Sequence, residues 1–272
     1  MKPFPQPLNV IAIGAHPDDC EYYLGGTATK FAAAGHRVKF VSLTNGDAGH
    51  HRQAGAELVA RRRAEAGEAA RRLGIAASEV LDHHDGLLVP TLEVRRQVIR
   101  LIREWKADLV LTHRPIDYHP DHRATGLLVQ DSAYIVLVPN VCPETPVLRT
   151  NPVYAYVEDA FQKPNPFTPD IAIAIDEVWE RKIDALDAHV SQMYEWLPWA
   201  HWHEEPVPGE ANQRRRWLAG KMERPLSQAA RQALEARYGP KAARGIRHAE
   251  AFEICEYGRQ PSPEELEKLF PR

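Results

Sequence analysis

The sequence predicts an α/β protein: a Rossmann-like, mostly parallel sheet with helices on both faces, followed by a C-terminal helical extension. Three observations predict it. Short apolar, β-branched runs alternate with longer amphipathic stretches over residues 8–138, the pattern of strand–helix–strand units. Successive runs are separated by enough chain for a crossover helix, which suits parallel neighbours rather than hairpins. The residues able to do chemistry gather just after the runs, where open α/β sheets hold their ligands.

Residues 8–14, Leu-Asn-Val-Ile-Ala-Ile-Gly, have the length and branching of a buried first strand. Pro17 suits the first position of a following helix, where a missing N–H costs nothing. Residues 24–35 read as a short helix stopped by Gly35, and 37–43 as the second strand. A turn-rich loop, 44–51, follows, then an Ala-, Glu- and Arg-rich helix over 53–73 ended by Gly74. A third strand is expected at 79–83 with the exit loop His84-Asp85-Gly86. Residues 91–105 show helical periodicity, with Leu92, Val98, Leu101 and Ile102 as the inner face. A fourth strand at 108–112 leads into a histidine cluster, and 122–138 returns as a helix. Seven prolines between 139 and 169 break regularity around a strand at 153–158. Another strand is expected at 171–175, a helix from 176 to about 190, a strand at 251–255 and a helix at 263–269. Five of the six tryptophans lie between 179 and 217, so residues 191–245 read as a helical appendage that covers an edge or walls the substrate.

At 272 residues, one domain is expected, spanning 1–272. A net charge of −3 gives no basic field for nucleic acid. No apolar run approaches the roughly 20 residues of a membrane span. Three widely spaced cysteines (Cys20, Cys142, Cys255) and no secretory apolar segment point to reduced thiols and a cytoplasmic location. Oligomeric state, including a homo-oligomer, is left open.

Two stretches carry the chemistry. Ala15-His16-Pro17-Asp18-Asp19 follows the first strand, and Asp117-Tyr118-His119-Pro120-Asp121-His122 follows the fourth. Taken alone, the first is as well explained by a turn and a capped helix. Two His-Pro-Asp units at the ends of two strands of one sheet, however, can converge on one ion. With His16, Asp19 and His122 as ligands, the ion has two imidazoles, one carboxylate and an open position, which is the catalytic rather than the structural type. Such an ion lowers the pKa of its water from about 15.7 toward roughly 7. Asp18 is then free to act as base, His119 to support charge on a carbonyl oxygen as an imidazolium, and Asp121 to orient a histidine.

These motifs resemble those of the LmbE/PIG-L family of zinc-dependent N-acetylglucosaminyl deacetylases, Ala-His-Pro-Asp-Asp-Glu and His-Pro-Asp-His. The likeness runs to about residue 130 and includes Gly25-Gly26-Thr27 and residues 44–49. The resemblance implies an LmbE-like fold, zinc on His16, Asp19 and His122, Asp18 as base and His119 beside the intermediate. It also implies Arg62 and Asp85 as sugar contacts. One departure stands out: Cys20 occupies the usual Glu position, with Glu21 next. A thiolate there as a fourth ligand is the less favoured reading against a small buried hydrophobe.

The expected activity is therefore metal-dependent removal of an acyl group, acetyl above all, from an N-acetylated amino sugar or its conjugate. Zinc is the expected ion, although the same triad accepts ferrous iron. The rivals are an amidase on a non-sugar amide, a metal-binding protein without turnover, and a nucleotide-binding module. The last lacks its fingerprint, since no glycine-rich phosphate loop follows the first strand. His50, His51 and His113 are weaker candidates. So are the 61–63 and 214–216 arginine runs and the tryptophans at 196, 199, 202 and 217, each with a structural reading at least as good.

Overall fold

The computed structural model describes residues 6–201 and 206–272, so Trp202 lies outside the described residues. The chain runs β1 (Asn9–Gly14), α1 (Asp19–Ala33), β2 (Arg37–Thr44), α2 (Gly55–Leu73), β3 (Ala77–His83), α3 (Leu92–Glu104), β4 (Leu109–Thr112) and α4 (Pro120–Ile135). It continues with β5 (Val153–Val157), β6 (Ile171–Ala174), a 3-10 turn (Asp176–Val178), α5 (Trp179–Ala188) and a π-helical stretch (Ser191–Trp196). The last elements are α6 (Leu197–Ala200), α7 (Ala211–Met222), α8 (Gln228–Tyr238), α9 (Pro240–Ala243), β7 (Ala249–Ile254) and α10 (Pro263–Leu269).

The strands form one sheet in the order β3-β2-β1-β4-β5-β7-β6. The first five are parallel, and β7 enters antiparallel between β5 and β6. Both faces of β1 are covered, which is why it reads as continuously apolar. Val10 and Ala12 pack with Leu24, Ala28 and Phe31 of α1. Ile11 and Ile13 pack on the other side with Val98 and Ile102 of α3 and Leu128 of α4. Burying each such aliphatic or aromatic side chain contributes about 1.5–3 kcal/mol.

Three expectations are corrected. The first helix begins at Asp19, not Leu24, and Pro17 lies in the turn before it rather than in its first helical position. Residue 24 is nevertheless a real break, because Leu24 is non-helical (φ −143°, ψ 16°) and divides α1 in two. The second half starts against a buried carboxylate: Glu250 of β7 accepts the Gly26 and Thr27 amides at 3.0 and 2.6 Å, with Lys182 Nζ at 2.6 Å. Leu92 is not on the inner face of α3. Thr91 caps that helix by accepting the Val94 amide, so Leu92 sits in the first turn, 61% exposed, and Val94 takes the inward place.

Arg103 of α3 makes no ion pair within 4 Å among the described residues, although Glu144 feels its charge. Its guanidinium instead donates to the carbonyls of Ile135, Val136, Val138, Val141, Cys142 and Thr145, closing the C-terminal end of α4. The appendage does cover sheet: α8 packs Ala230 and Leu234 on Ala172 of β6 and Ala251 of β7. No helix among the described residues is long and apolar enough to cross a membrane.

Candidate active site

Chain order reverses at β1, which has β2 on one side and β4 on the other. The crevice beyond their carboxyl ends is where such sheets bind ligands. After β1 the backbone doubles back, the amides of Asp18 and Asp19 both donating to the His16 carbonyl at 2.9 and 3.2 Å. Asp18 occupies the N-cap of α1 but makes no side-chain cap bond. Capping therefore does not explain it. Asp19 folds its Oδ2 back onto the amides of Ala15 and His16, at 2.9 and 2.7 Å, and so is fixed in the turn.

The expected ligands meet. His16 Nδ1 lies 3.2 Å from His122 Nε2 and 3.5 Å from Asp19 Oδ2, and His122 Nε2 is 3.4 Å from Asp19 Oδ1. A tetrahedral ion with bonds of about 2.0–2.1 Å needs ligand atoms about 3.3 Å apart; these separations approach that value with Oδ2 of Asp19 facing His16 and Oδ1 facing His122, and the trios His16, His119, His122 and Asp19, His113, His122 each bring ligand atoms within 4.8 Å of one another. The rear nitrogens face carboxylates: His16 Nε2 has Asp85 Oδ1 at 3.2 Å and Asp121 Oδ2 at 3.3 Å, and His122 Nδ1 has Asp117 Oδ1 at 3.1 Å. A carboxylate behind each ring fixes its tautomer and turns the other lone pair forward, as metal-binding histidines require. Burial by itself would lower the His122 pKa, but Asp19 and Asp117 outweigh it and raise it to about 9. Asp19 and Asp117 thus favour positive charge at His122.

Asp121 is fully buried and accepts the amides of Gly86 and Leu88 at 2.6 and 3.2 Å. Its Oδ2 thereby faces the His16 ring from behind. Arg62, 2% exposed, reaches from α2 to place Nη2 3.0 Å from Asp18 Oδ1, and its Nη1 lies 3.7 Å from Asp85 Oδ2. Both residues expected at a sugar are thus packed inside the site, with Asp85 joining Arg62 to His16. Room for the guanidinium depends on Gly46 and Gly49, where an added Cβ would meet Arg62 Nη1 at 2.4 and 2.8 Å. Burial pushes the Asp18 carboxyl up, against the opposing pull of Arg62.

His119 is extended (φ −84°, ψ 130°) and Pro120 opens α4, so His119 and His122 leave the backbone differently. Its Nδ1 accepts the Asp121 amide at 3.2 Å. A ring accepting at Nδ1 carries its proton on Nε2 and is neutral, not the imidazolium expected. Burial, with His16 and His122 nearby, also lowers its pKa.

Sequence reasoning gave Asp117 no role and named His113 only as a weak candidate. Asp117 backs His122 from the same loop, a spacing legible only once His122 is taken as a ligand. His113, a weak candidate, lies 3.1 Å from Asp19 Oδ2 and stacks on His122 at 4.2 Å. Cys20 points away from the ligand set into the core, its Sγ 4.0 Å from the Val41 carbonyl. It is a small buried hydrophobe. His50 Nδ1 accepts the amides of Arg52 and Gln53, and its Nε2 pairs with Glu195 at 2.9 Å. His51 stacks between His50 and Trp199, which itself stacks on Trp196. Arg61 also holds Glu195, and Gln192 donates to the Gly49 carbonyl at 3.0 Å. The appendage therefore clamps the loop that makes room for Arg62.

The chain is similar to several known proteins. The family described as GlcNAc-PI de-N-acetylase (PIG-L) matches residues 11–133. Diacetylchitobiose deacetylase of Thermococcus kodakarensis is 33% identical over 207 residues, covering 73% of this chain and 76% of that one. The 4-oxalmesaconate hydratase of Pseudomonas putida is 26% identical over 196 residues, 69% of this chain and 75% of that one. Among solved structures, N,N'-diacetylchitobiose deacetylase from Pyrococcus horikoshii superposes with a TM-score of 0.68 at 28% identity, covering 91% of this chain and 84% of that chain. The fold, the paired motifs and the extent of these matches together mean that this chain belongs to the PIG-L/LmbE deacetylase family.

Proposed function

We propose that the protein is a zinc-dependent N-deacetylase that hydrolyses the linear amide of an N-acetylated amino sugar or sugar conjugate. The observation that carries this reading is the convergence of His16 Nδ1, His122 Nε2 and Asp19 within 3.5 Å of one another, with Asp18 left out of that set. A divalent ion bound there supplies Lewis acidity and an acidified water. The chain's own residues do the rest. Asp18 takes the attacking water's proton on the carboxylate oxygen that Arg62 leaves free, and its raised pKa suits it to hold that proton. His119, neutral with its proton on Nε2, donates to the carbonyl oxygen as charge develops. As the C–N bond breaks, Asp18 returns the proton to the departing amine, leaving acetate and a free amino sugar. The named substrates of the deacetylase relatives make N,N'-diacetylchitobiose the first compound to try.

The test is amine release from N,N'-diacetylchitobiose and N-acetylglucosamine by chelator-stripped protein, before and after zinc or ferrous iron is restored. The expected result is turnover only after reloading. Full turnover by protein shown to be metal-free by elemental analysis would contradict the proposal. Water addition to an unsaturated acid without any amine release would favour the chemistry of the hydratase relative instead.

A further inference from the structure

We infer that Tyr118 and Phe161 form an aromatic wall beside the ligand set, and that the substrate's pyranose ring lays its C–H face on Tyr118. This rests on the deacetylase reading and adds a specificity-determining contact to it. Tyr118 directly precedes His119, yet its side chain is turned out, leaving the residue 66% exposed. Its ring lies 5.7 Å from both His119 and His122, at 87° and 73°, so neither imidazole lies flat against it. Phe161, from the loop after β5, tilts toward it at 6.3 Å.

The wall is fastened from beneath. Arg114, 4% exposed, follows the His113 that braces Asp19. It grips Asp159 with two bonds of 2.5–2.6 Å and donates to the carbonyls of Phe161 and Asn165. A buried ion pair is a poor stabiliser on its own account. Here it sets the loop bearing Phe161 in register with the backbone of the ligand set. An amide nitrogen bonded to a sugar carbon puts the ring beside whatever faces the amide. The group next to His119 is Tyr118, an apolar plate with a polar tip, suited to a partner that is part apolar and part wet.

The test uses Tyr118→Ala, Tyr118→Phe and Phe161→Ala in metal-loaded full-length protein, with metal content and unfolding temperature checked first. KM for N,N'-diacetylchitobiose and saturation-transfer NMR of N-acetylglucosamine are the two readouts. Tyr118→Ala is expected to raise KM about 10-fold and weaken the NMR signal, with Phe161→Ala in the same direction and smaller. Tyr118→Phe should stay within about two-fold of wild type, because the ring and not the hydroxyl makes the contact. Wild-type KM in Tyr118→Ala, or equal losses in Phe and Ala, would overturn the wall. If Tyr118→Ala loses metal, Phe161→Ala carries the test, and an unchanged KM there overturns the wall. Should wild type release no amine, the NMR signal still decides: loss in the alanine variants keeps the wall while the deacetylase reading fails.

Discussion

Asp18 and Asp19 are adjacent in the chain and face different partners, one the guanidinium of Arg62 and the other the histidines. That division sets the first prediction. Asp18→Asn keeps the shape and removes the proposed base, so kcat should fall about 10²–10⁴-fold with the metal retained. The two histidines of the second motif divide likewise. His119→Ala is expected to bind metal and lose about 10²–10³-fold in turnover, the cost of one oxyanion donor. His122→Ala should lose the metal itself, which elemental analysis of both variants checks. That these side chains gather at one place was legible in the residue types and their spacing. The neutral state of His119 was not, because it depends on the Asp121 amide reaching Nδ1 at the mouth of α4.

At the scale of elements, the site depends on how closely segments approach. Gly46 has φ +70° and gives up its side-chain space to Arg62. Gly46→Ala should cost roughly 1–2 kcal/mol from the left-handed backbone alone. It should also lower kcat by displacing Arg62 from Asp18, which thermal unfolding and kinetics together will show. Glu250 supports a different joint, the broken middle of α1. Glu250→Ala leaves two amides and Lys182 without their carboxylate and should destabilise the fold by about 3–5 kcal/mol. A urea midpoint within the error of wild type would mean that water takes over the cap. The sequence pattern located the second half of this helix and nearly every strand. It could not indicate the break at Leu24, since the partner that stabilises it lies 226 positions further on, in β7. The π-helical stretch at Ser191–Trp196 was invisible for the same reason: Ser191 is held by Glu65 of α2 at 2.6 Å.

For the whole molecule, charge is distributed unevenly. The chain carries only −3 overall, yet Asp18, Asp19, Asp85, Asp117 and Asp121 crowd around two imidazoles and one arginine. Without a metal, Asp19 and Asp117 raise the His122 pKa to about 9. Protons and metal therefore compete for the same nitrogens. Apparent zinc affinity should rise with pH through neutrality toward 9 and fall as the rings protonate below it. Calorimetry in buffers of different ionisation heat should register the proton release. The order of elements and the side of the sheet that bears the site were legible in the sequence. The insertion of β7 between β5 and β6 was not, because strand order beyond β5 is set by contacts between distant parts of the chain.

In the proposed mechanism three side chains hold one ion and a fourth, beside them, does the proton transfer. Metal stoichiometry of Asp18→Asn and Asp19→Asn, measured alongside amine release, tests it most directly. Asp18→Asn is expected to hold about one metal per chain with little turnover, and Asp19→Asn to have neither metal nor turnover. Loss of the ion from Asp18→Asn, or its retention in Asp19→Asn, would contradict it.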